Sequence, residues 1–438
     1  MITTPAGTVK VAGGWWPAGP PLCATRAFLS AAVRPRKRGL GSSETTVNAA
    51  TIERTSVSVT HGSERAQGAV AIVPAASPRL VKQFVELPYD LYAGDPHWVP
   101  QLRRDEYRRL SPRHNPFLAH AEMALFLAMR DGRIAGRIAA IDDRAHNEFH
   151  HERLAWFGFF EATDPAAAAW LLSAVEAWAR QRGSTAVRGP VNPSLNENAG
   201  LLIDAFDDDP YLLMPYNPPV YASYIEGAGY AKIKDLLAWS FDLTVPVGER
   251  IARLAERVRR RHGVTVRRAN MRAFDDDLAL IVQIYRQAWD RNWGFVPPTD
   301  AEMKQLATDL KPILDPDIVL VAEIGGRPVG CVVTLPDVNQ VLKRMNGRLF
   351  PFGLLHFLNR RTIIDRVRLV MLGVVEEYRR VGLYPLLIAE VYRRAVANGY
   401  RRGEASWTLE DNDAINAGIE AAGGRRSKTY RVYDKPLR

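Results

Sequence analysis

One stretch of this chain restricts its fold more than any other: Gly373-Val374-Val375-Glu376-Glu377-Tyr378-Arg379-Arg380-Val381-Gly382-Leu383-Tyr384-Pro385-Leu386-Leu387. It reads as the end of an apolar strand, a basic turn holding one glycine, and the start of a helix. Pro385 suits a first helical turn, where its fixed φ fits and its missing N–H costs nothing. Leu383, Leu387, Val391 and Ala395 keep helical spacing, and Gly399 stops the run. Such a turn leaves backbone N–H groups unpaired at the positive end of a helix dipole, with Arg379 and Arg380 alongside. That is a phosphate cradle, suited to the pyrophosphate of a nucleotide or of coenzyme A. The competing reading is a basic turn on an ordinary α/β surface.

The flanking pattern extends the strand–turn–helix. A hairpin over 318–335 turns at Gly325-Gly326. After the cradle helix the pattern predicts a strand over 403–412, a short helix over 414–422 closed by Gly423-Gly424, and a last strand over 428–433. Part of this occurs twice. Gly132-Arg133-Ile134-Ala135-Gly136 matches Gly326-Arg327-Pro328-Val329-Gly330, and Glu226-Gly227-Ala228-Gly229 with Lys234 matches Glu420-Ala421-Ala422-Gly423 with Lys428. Gly132 and Gly326, like Gly229 and Gly423, stand 194 positions apart. A shared offset predicts two related domains, 71–245 and 246–438.

With 438 residues, 47% of them hydrophobic and 24% charged, the chain has room for two such domains with substantial cores. Its net charge of +10 favours anionic partners. Cys23 and Cys331 sit in dissimilar contexts, so a reducing compartment is expected and a disulfide is not. No apolar run is long enough to span a bilayer. Residues 1–43 contain no acid and carry the knot Arg34-Pro35-Arg36-Lys37-Arg38. An Arg-rich targeting or surface-binding arm is one reading; we expect 1–70 rather to be a disordered basic extension, or a stretch upstream of the true start, with the folded chain beginning near Ala71.

The halves differ where function is expected. The second carries an insertion over 341–361, Val341-Leu342-Lys343-Arg344 through Leu349-Phe350-Pro351-Phe352 and Leu354-Leu355-His356-Phe357-Leu358 to Arg360-Arg361, with apolar side chains between basic shoulders. Such a segment can bind an anionic membrane face; a buried helical insertion is the alternative. The first half has Asn/Pro loops around Asn192, Asn196, Tyr216 and Asn217, which are expected to shape an acceptor site or cap a sheet edge. Its counterpart of the cradle, Glu161-Ala162-Thr163-Asp164-Pro165, has acids where a phosphate would sit. His146, His150 and His151 read as solvated, as does the basic run from Arg257 to Arg261. No spacing suggests a metal site, a Ser/His/Asp arrangement or a nucleic-acid surface.

The predicted order β-α-α-β-β-β-α-β-α-β, with Arg379-x-x-Gly382-x-Tyr384 in place of an Arg/Gln-x-x-Gly-x-Gly/Ala motif, resembles the GNAT acyltransferase superfamily. From about Phe84 onward the chain is similar to bacterial tandem-GNAT proteins, in Asp95-Pro96-His97-Trp98-Val99-Pro100, the Asn-Pro loops, Asn346-Gly347-Arg348-Leu349-Phe350-Pro351-Phe352-Gly353 and Ser406-Trp407-Thr408-Leu409-Glu410-Asp411-Asn412. The bacterial ceramide synthases are similar in kind. The resemblance implies an α/β (α+β) fold of two tandem GNAT-like domains, each a mixed sheet flanked by helices. It implies an acyl-CoA or acyl-carrier-protein thioester as donor, an amine as acceptor, and no metal. Val374, Val375, Arg379, Arg380, Val381, Gly382, Leu383 and Tyr384 would hold the donor, with Asn412 and Asn416 on its pantetheine arm and a backbone N–H near Val374 or Val375 on the oxyanion.

Acyl transfer to an amine needs a proton acceptor for the nitrogen and a proton donor for the leaving thiolate. Glu376, Glu377, Glu404 and Glu410 stand near the cradle; Glu410 and Glu377 are the candidate bases. Ile419 replaces the tyrosine acid common in the superfamily, so Tyr430, Tyr384 or water would protonate the thiol. The expected function is N-acylation of a lipophilic amine such as a sphingoid base, in the cytoplasm or at the inner membrane face. N-acetylation of a small soluble amine or a protein, and a non-catalytic GNAT-fold binding protein, are the alternatives. Transfer from an aminoacyl-tRNA would need a tRNA-binding element, and none is visible.

Overall fold

Two hairpins with the same turn open the two arms of the sheet. The computed structural model describes residues 69–289, 292–350 and 352–438, so the expected extension lies almost wholly outside the described residues. β1 (Ala71–Pro74), β2 (Ala121–Arg130) and β3 (Arg133–Asp143) form one arm; β8 (Val264–Arg268), β9 (Val319–Ile324) and β10 (Arg327–Pro336) form the other. The β2–β3 turn has positive φ at Asp131 and Gly132 (49° and 75°), and the β9–β10 turn at Gly325 and Gly326 (58° and 77°). Two consecutive left-handed residues make the tight hairpin whose twist suits flanking strands, which explains the glycine at both places.

The remaining strands are β4 (Leu154–Ala162), β5 (Ala186–Gly189), β6 (Leu201–Leu202), β7 (Ala231–Asp242), β11 (Arg366–Val374), β12 (Arg402–Leu409) and β13 (Arg425–Pro436). They complete one mixed sheet in the order β1-β2-β3-β4-β5-β13-β7-β12-β11-β10-β9-β8, with β6 on β13. That order reads alike from either end, with one exchange. β7, the last strand of residues 71–245, pairs with β12, and β13, the last strand of 246–438, pairs with β5. β7 and β13 pair with each other at the centre, from Arg425↔Ser240 to Asp434↔Ala231.

Each arm contains one parallel pair that forks. β11 and β12 pair from Arg366↔Arg402 to Leu369↔Ala405 and then part, while β11 continues to Val374. β4 and β5 pair from Leu154↔Ala186 to Trp156↔Arg188. The second of these forks is filled by its own chain. Val191 bridges Ala199, and a Cβ on Gly158 would meet the Val191 carbonyl oxygen at 1.7 Å. Only glycine lets the loop lie that close to β4.

Helices cover both faces. On one, Pro165–Gln181 sets Leu171, Leu172 and Val175 against Ile138 and Phe157, and Leu383–Ala397 sets Leu386 and Leu387 against Val332 and Val374. On the other, Phe84 of the helix Pro78–Leu91 shares a core with Ile141, Leu236 and Tyr430. Helix Phe274–Trp289 lies against β11, where a Cβ on Gly373 would meet the Trp289 ring at 2.8 Å.

Candidate active site

The strand, turn and helix of the cradle segment form as the spacing predicts. β11 ends at Val374, residues Glu376–Val381 make a tight 3-10 turn, and Gly382 enters the helix Leu383–Ala397 at φ 89°. No side chain caps this N-terminus, so its first N–H groups face outward at the positive end of a fifteen-residue helix. Arg380 is exposed beside it. Arg379 turns the other way and donates to the Gln287 carbonyl at 3.2 Å. Val381 and Tyr384 pack partly buried against the helix's apolar side. Val375 donates its N–H to the Val329 carbonyl at 3.0 Å. Strand alternation then leaves the Val374 N–H pointing to the fork side, where β12 no longer pairs.

The fork's apex is polar. Arg368 donates through Nε to Ser406 Oγ at 2.8 Å, through Nη2 to the Ser406 carbonyl at 3.0 Å, and through Nη1 to the Leu212 carbonyl at 2.6 Å. Ser406 in turn donates to Glu404 Oε1 at 2.6 Å. From β13, Lys428 and Tyr430 reach the same region, across a β7 that presents only Ala238 opposite Lys428. Lys428 Nζ meets Asp208 and the Asp209 carbonyl. Burial pushes the Glu404 carboxyl above its ordinary range, against Lys428 and Arg368, and pushes the Tyr430 phenol well up. Glu404 Oε2 and the Tyr430 hydroxyl, both buried, have no hydrogen-bond partner.

The other expected residues fall in different surroundings. Glu410, at the end of β12, is clasped by Lys232 at 2.6 Å and by the Asp235 N–H at 3.0 Å. Glu377 is exposed on the cradle turn, 3.4 Å from Arg327. Asn412 caps the helix Asp413–Ala421, and Asn416 holds the end of β12 through the Leu409 carbonyl and Thr408. Asn192 accepts from the Phe159 N–H at 2.6 Å, and Asn217 pairs with both backbone groups of Leu202. Tyr216 donates to Asp95. Asn196 bridges the two halves, donating to the Val296 carbonyl at 3.0 Å and accepting from Tyr285 at 3.3 Å. The sequence places Glu404 near the cradle without marking it as a base. Its burial depends on Lys428 and Tyr430 crossing a strand, which no local pattern shows.

Asn196 also lines two small adjoining clefts, with Asp143, Ser194 and Val296 likewise common to both. In the wall of one, His120 lies 3.0 Å from Asp143 and 3.4 Å from Glu302, which joins the two halves. Those two carboxylates hold the imidazole charged, raising its pKa from 6.5 to about 9. The stabilisation is therefore complete below about pH 6.5 and fades as pH rises through 9. The wild-type protein should melt above His120→Asn at pH 6, and that gap should close by roughly pH 10 in a thermal-melt series. His146, expected to be solvated, is instead buried against Trp156, because the helix Arg144–His150 turns it inward.

The insertion is three short helices, Asn339–Met345, Gly353–Leu358 and Arg360–Ile363. Its apolar centre faces outward: Phe350 is 53% exposed, Phe352 70%, Leu355 57% and Leu358 62%. Arg344, Arg348 and Arg361 are exposed around it, and no acid occurs between Asp337 and Asp365. Four large apolar side chains within nine residues are thus exposed to solvent. Among the described residues, no helix is long and apolar enough to cross a membrane, and no group of acids, histidines or cysteines could hold a metal ion.

No family model matches the chain. It is 39% identical over 378 residues to a protein of Caulobacter vibrioides named bacterial ceramide synthase, a match covering 84% of this chain and 98% of that one. It is 35% identical over 365 residues to protein YghO of Escherichia coli, covering 82% and 93%. Among solved structures, a tandem GNAT protein from the clavulanic acid biosynthesis pathway superposes with a TM-score of 0.51 at 12% identity, over 84% of this chain and 99% of that one. This last likeness is one of fold.

Proposed function

The chain belongs to the family of the bacterial ceramide synthase and is an acyltransferase, and from that premise we propose that it transfers a long acyl group from a thioester to a lipophilic amine, such as a sphingoid base. The observation that carries the lipid acceptor is the exposed set Phe350, Phe352, Leu355 and Leu358 in a segment that carries arginines and lysine and no acid. Apolar side chains of this kind enter the acyl boundary of a bilayer while arginines meet lipid phosphate. The protein then works as a peripheral enzyme on the cytoplasmic membrane face, where a lipophilic amine is concentrated.

The donor, acyl-CoA or an acyl-carrier protein, lies on the cradle from Val374 to Tyr384. Helix N–H groups and Arg380 receive its phosphates, and the Val374 N–H faces the thioester oxygen. Residues 71–245 and 246–438 are two related domains in this reading, which the symmetric strand order supports. The first shapes the acceptor side and holds no donor. Asp164 caps its corresponding helix through Ala167 and pairs with Arg130 at 2.7 Å, which puts a carboxylate where phosphate would go.

The test is acyl transfer by purified protein to sphinganine from palmitoyl-CoA, palmitoyl-carrier protein or acetyl-CoA. An N-palmitoyl product is expected. Product from acetyl-CoA and a water-soluble amine alone would replace this reading with small-molecule acetylation, and no donor binding at all would point to a non-catalytic protein. In flotation with phosphatidylglycerol vesicles the wild type should rise. Phe352→Asp with Leu355→Asp should remain below, each change costing about tenfold or more in vesicle affinity while melting is unchanged. Equal flotation would remove the membrane from the reading.

A further inference from the structure

Residues 204–213, from the first half, lie as a strap over the polar apex of the second half's fork. The strap is held by polar contacts along its length and by Tyr211 and Leu212, which are buried in two apolar clusters. Asp204 accepts from the Thr429 N–H at 2.6 Å, Asp208 meets Lys428, and Asp209 meets Lys343 at 2.6 Å and His97 at 3.0 Å. The Pro210 carbonyl accepts from Asn339 at 2.9 Å, and Leu212 gives its N–H to Asp337 and its carbonyl to Arg368. Non-glycine residues in the left-handed region stand near both ends, Ala205 at φ 50° and Leu213 at φ 62°. Such conformations are strained and persist only under restraint from the surroundings.

Beneath the strap the floor is incompletely paired. Asn339 Oδ1, Glu404 Oε2 and the Tyr430 hydroxyl are buried without a hydrogen-bond partner, and Asp337 Oδ2 meets Arg366 only as an ion pair at 3.3 Å. Buried polar groups normally find partners, and several unpaired ones gathered at one place suit a polar ligand. Three are oxygen acceptors, two of them carboxylate oxygens, which suits an ammonium or amine with neighbouring hydroxyls. The fork's last paired residues, Leu369 and Ala405, directly follow Arg368 and Glu404.

We propose that this floor receives the acceptor's amine when the strap lifts, with Glu404 taking the nitrogen's proton at Oε2 and Tyr430 delivering a proton to the departing sulfur. The inference rests on the acyl-transfer reading above and assigns its acceptor site. The amine nitrogen attacks the thioester carbonyl carbon, a C–N bond forms, and the C–S bond breaks with its electron pair leaving on sulfur. The nitrogen's proton passes to Glu404, Tyr430 gives its own proton to sulfur and takes the one held by Glu404, and amide and thiol result.

Tyr430→Phe separates this from a structural role. It deletes a hydroxyl without a protein partner, so melting should be unchanged or raised. Turnover of palmitoyl-CoA with sphinganine, or with whichever amine the wild type accepts, should fall about 100-fold with donor affinity unchanged. Glu404→Gln should also lower kcat at least about 100-fold. Wild-type kcat in Tyr430→Phe overturns the proposal, whether or not Glu404→Gln folds. If the wild type acylates sphinganine and both variants match it, the floor is structural and the proposed function stands. If the wild type acylates no amine, the proposed function fails and the assignment of this pair fails with it.

Discussion

Arg368→Ala is expected to lose about 3–5 kcal/mol of unfolding free energy, the largest effect of any single change at the fork. The guanidinium is buried, and its hydrogen bonds reach Ser406 on β12 and the Leu212 carbonyl of the strap. Removing it leaves Glu404 as a buried carboxylate whose hydrogen-bonded neighbour Ser406 has lost its own donor, and takes a donor from the Ser406 and Leu212 carbonyls. Burial already pulls the Arg368 pKa down, so the charge is kept at a cost. A buried ion network is weak evidence of net stability, but breaking one by removing a single partner is expensive. Arg368→Met with Glu404→Gln should therefore be milder than Arg368→Ala alone. Urea unfolding measures both; an Arg368→Ala variant within about 0.5 kcal/mol of wild type, the range of an ordinary surface change, would mean that the network holds nothing.

Gly382→Asp should abolish donor binding, with an affinity loss on the order of 100-fold or more, while stability moves by about 1 kcal/mol or less. The two effects part because the same carboxylate acts oppositely on them. At a helix N-terminus an acid is favourable to the helix and can cap its N–H groups, offsetting the strain of a side chain at φ 89° and a Cβ 3.1 Å from Val258. Toward a pyrophosphate the same charge is repulsive and fills the cradle. Gly382→Ala isolates the strain and should bind the donor far better than Gly382→Asp. Calorimetric titration with coenzyme A and palmitoyl-CoA, set beside thermal melts, separates the two. Unchanged affinity in Gly382→Asp would place the donor elsewhere.

Local pattern shows those parts of the fold that are built locally. The glycines of the two hairpin turns stand out because each turn needs left-handed residues, and the cradle stands out because strand, glycine and helix are contiguous. The exchange of β7 and β13 leaves no such mark. Which neighbour a strand chooses depends on pairing between residues some 190 positions apart, such as Lys428 with Ala238. The same limit explains the acids. Glu410 is a candidate base in sequence, and the structure clasps it with Lys232, 178 positions earlier. Asn192 and Asn217 look like ligand-facing amides in sequence; both satisfy backbone groups of neighbouring segments. Asn196, by contrast, reaches the other half. The outward face of Phe352 and Leu355 was legible only as composition, since exposure is decided by what the insertion fails to pack against.

The crossed final strands have a consequence for how the protein is made. β13 is synthesised after every other strand, yet it lies in the middle of the sheet with β5 on one side and β7 on the other. Until it emerges from the ribosome, both arms keep an unsatisfied edge at their centre, and neither can close. Folding is then largely post-translational, slowed by distant pairings, and the waiting chain is exposed to misassociation with its neighbours. For the same reason the two arms cannot be produced as separate working pieces from a cut near residue 245. Each would carry away the strand that the other needs, and only the two fragments together could rebuild the sheet.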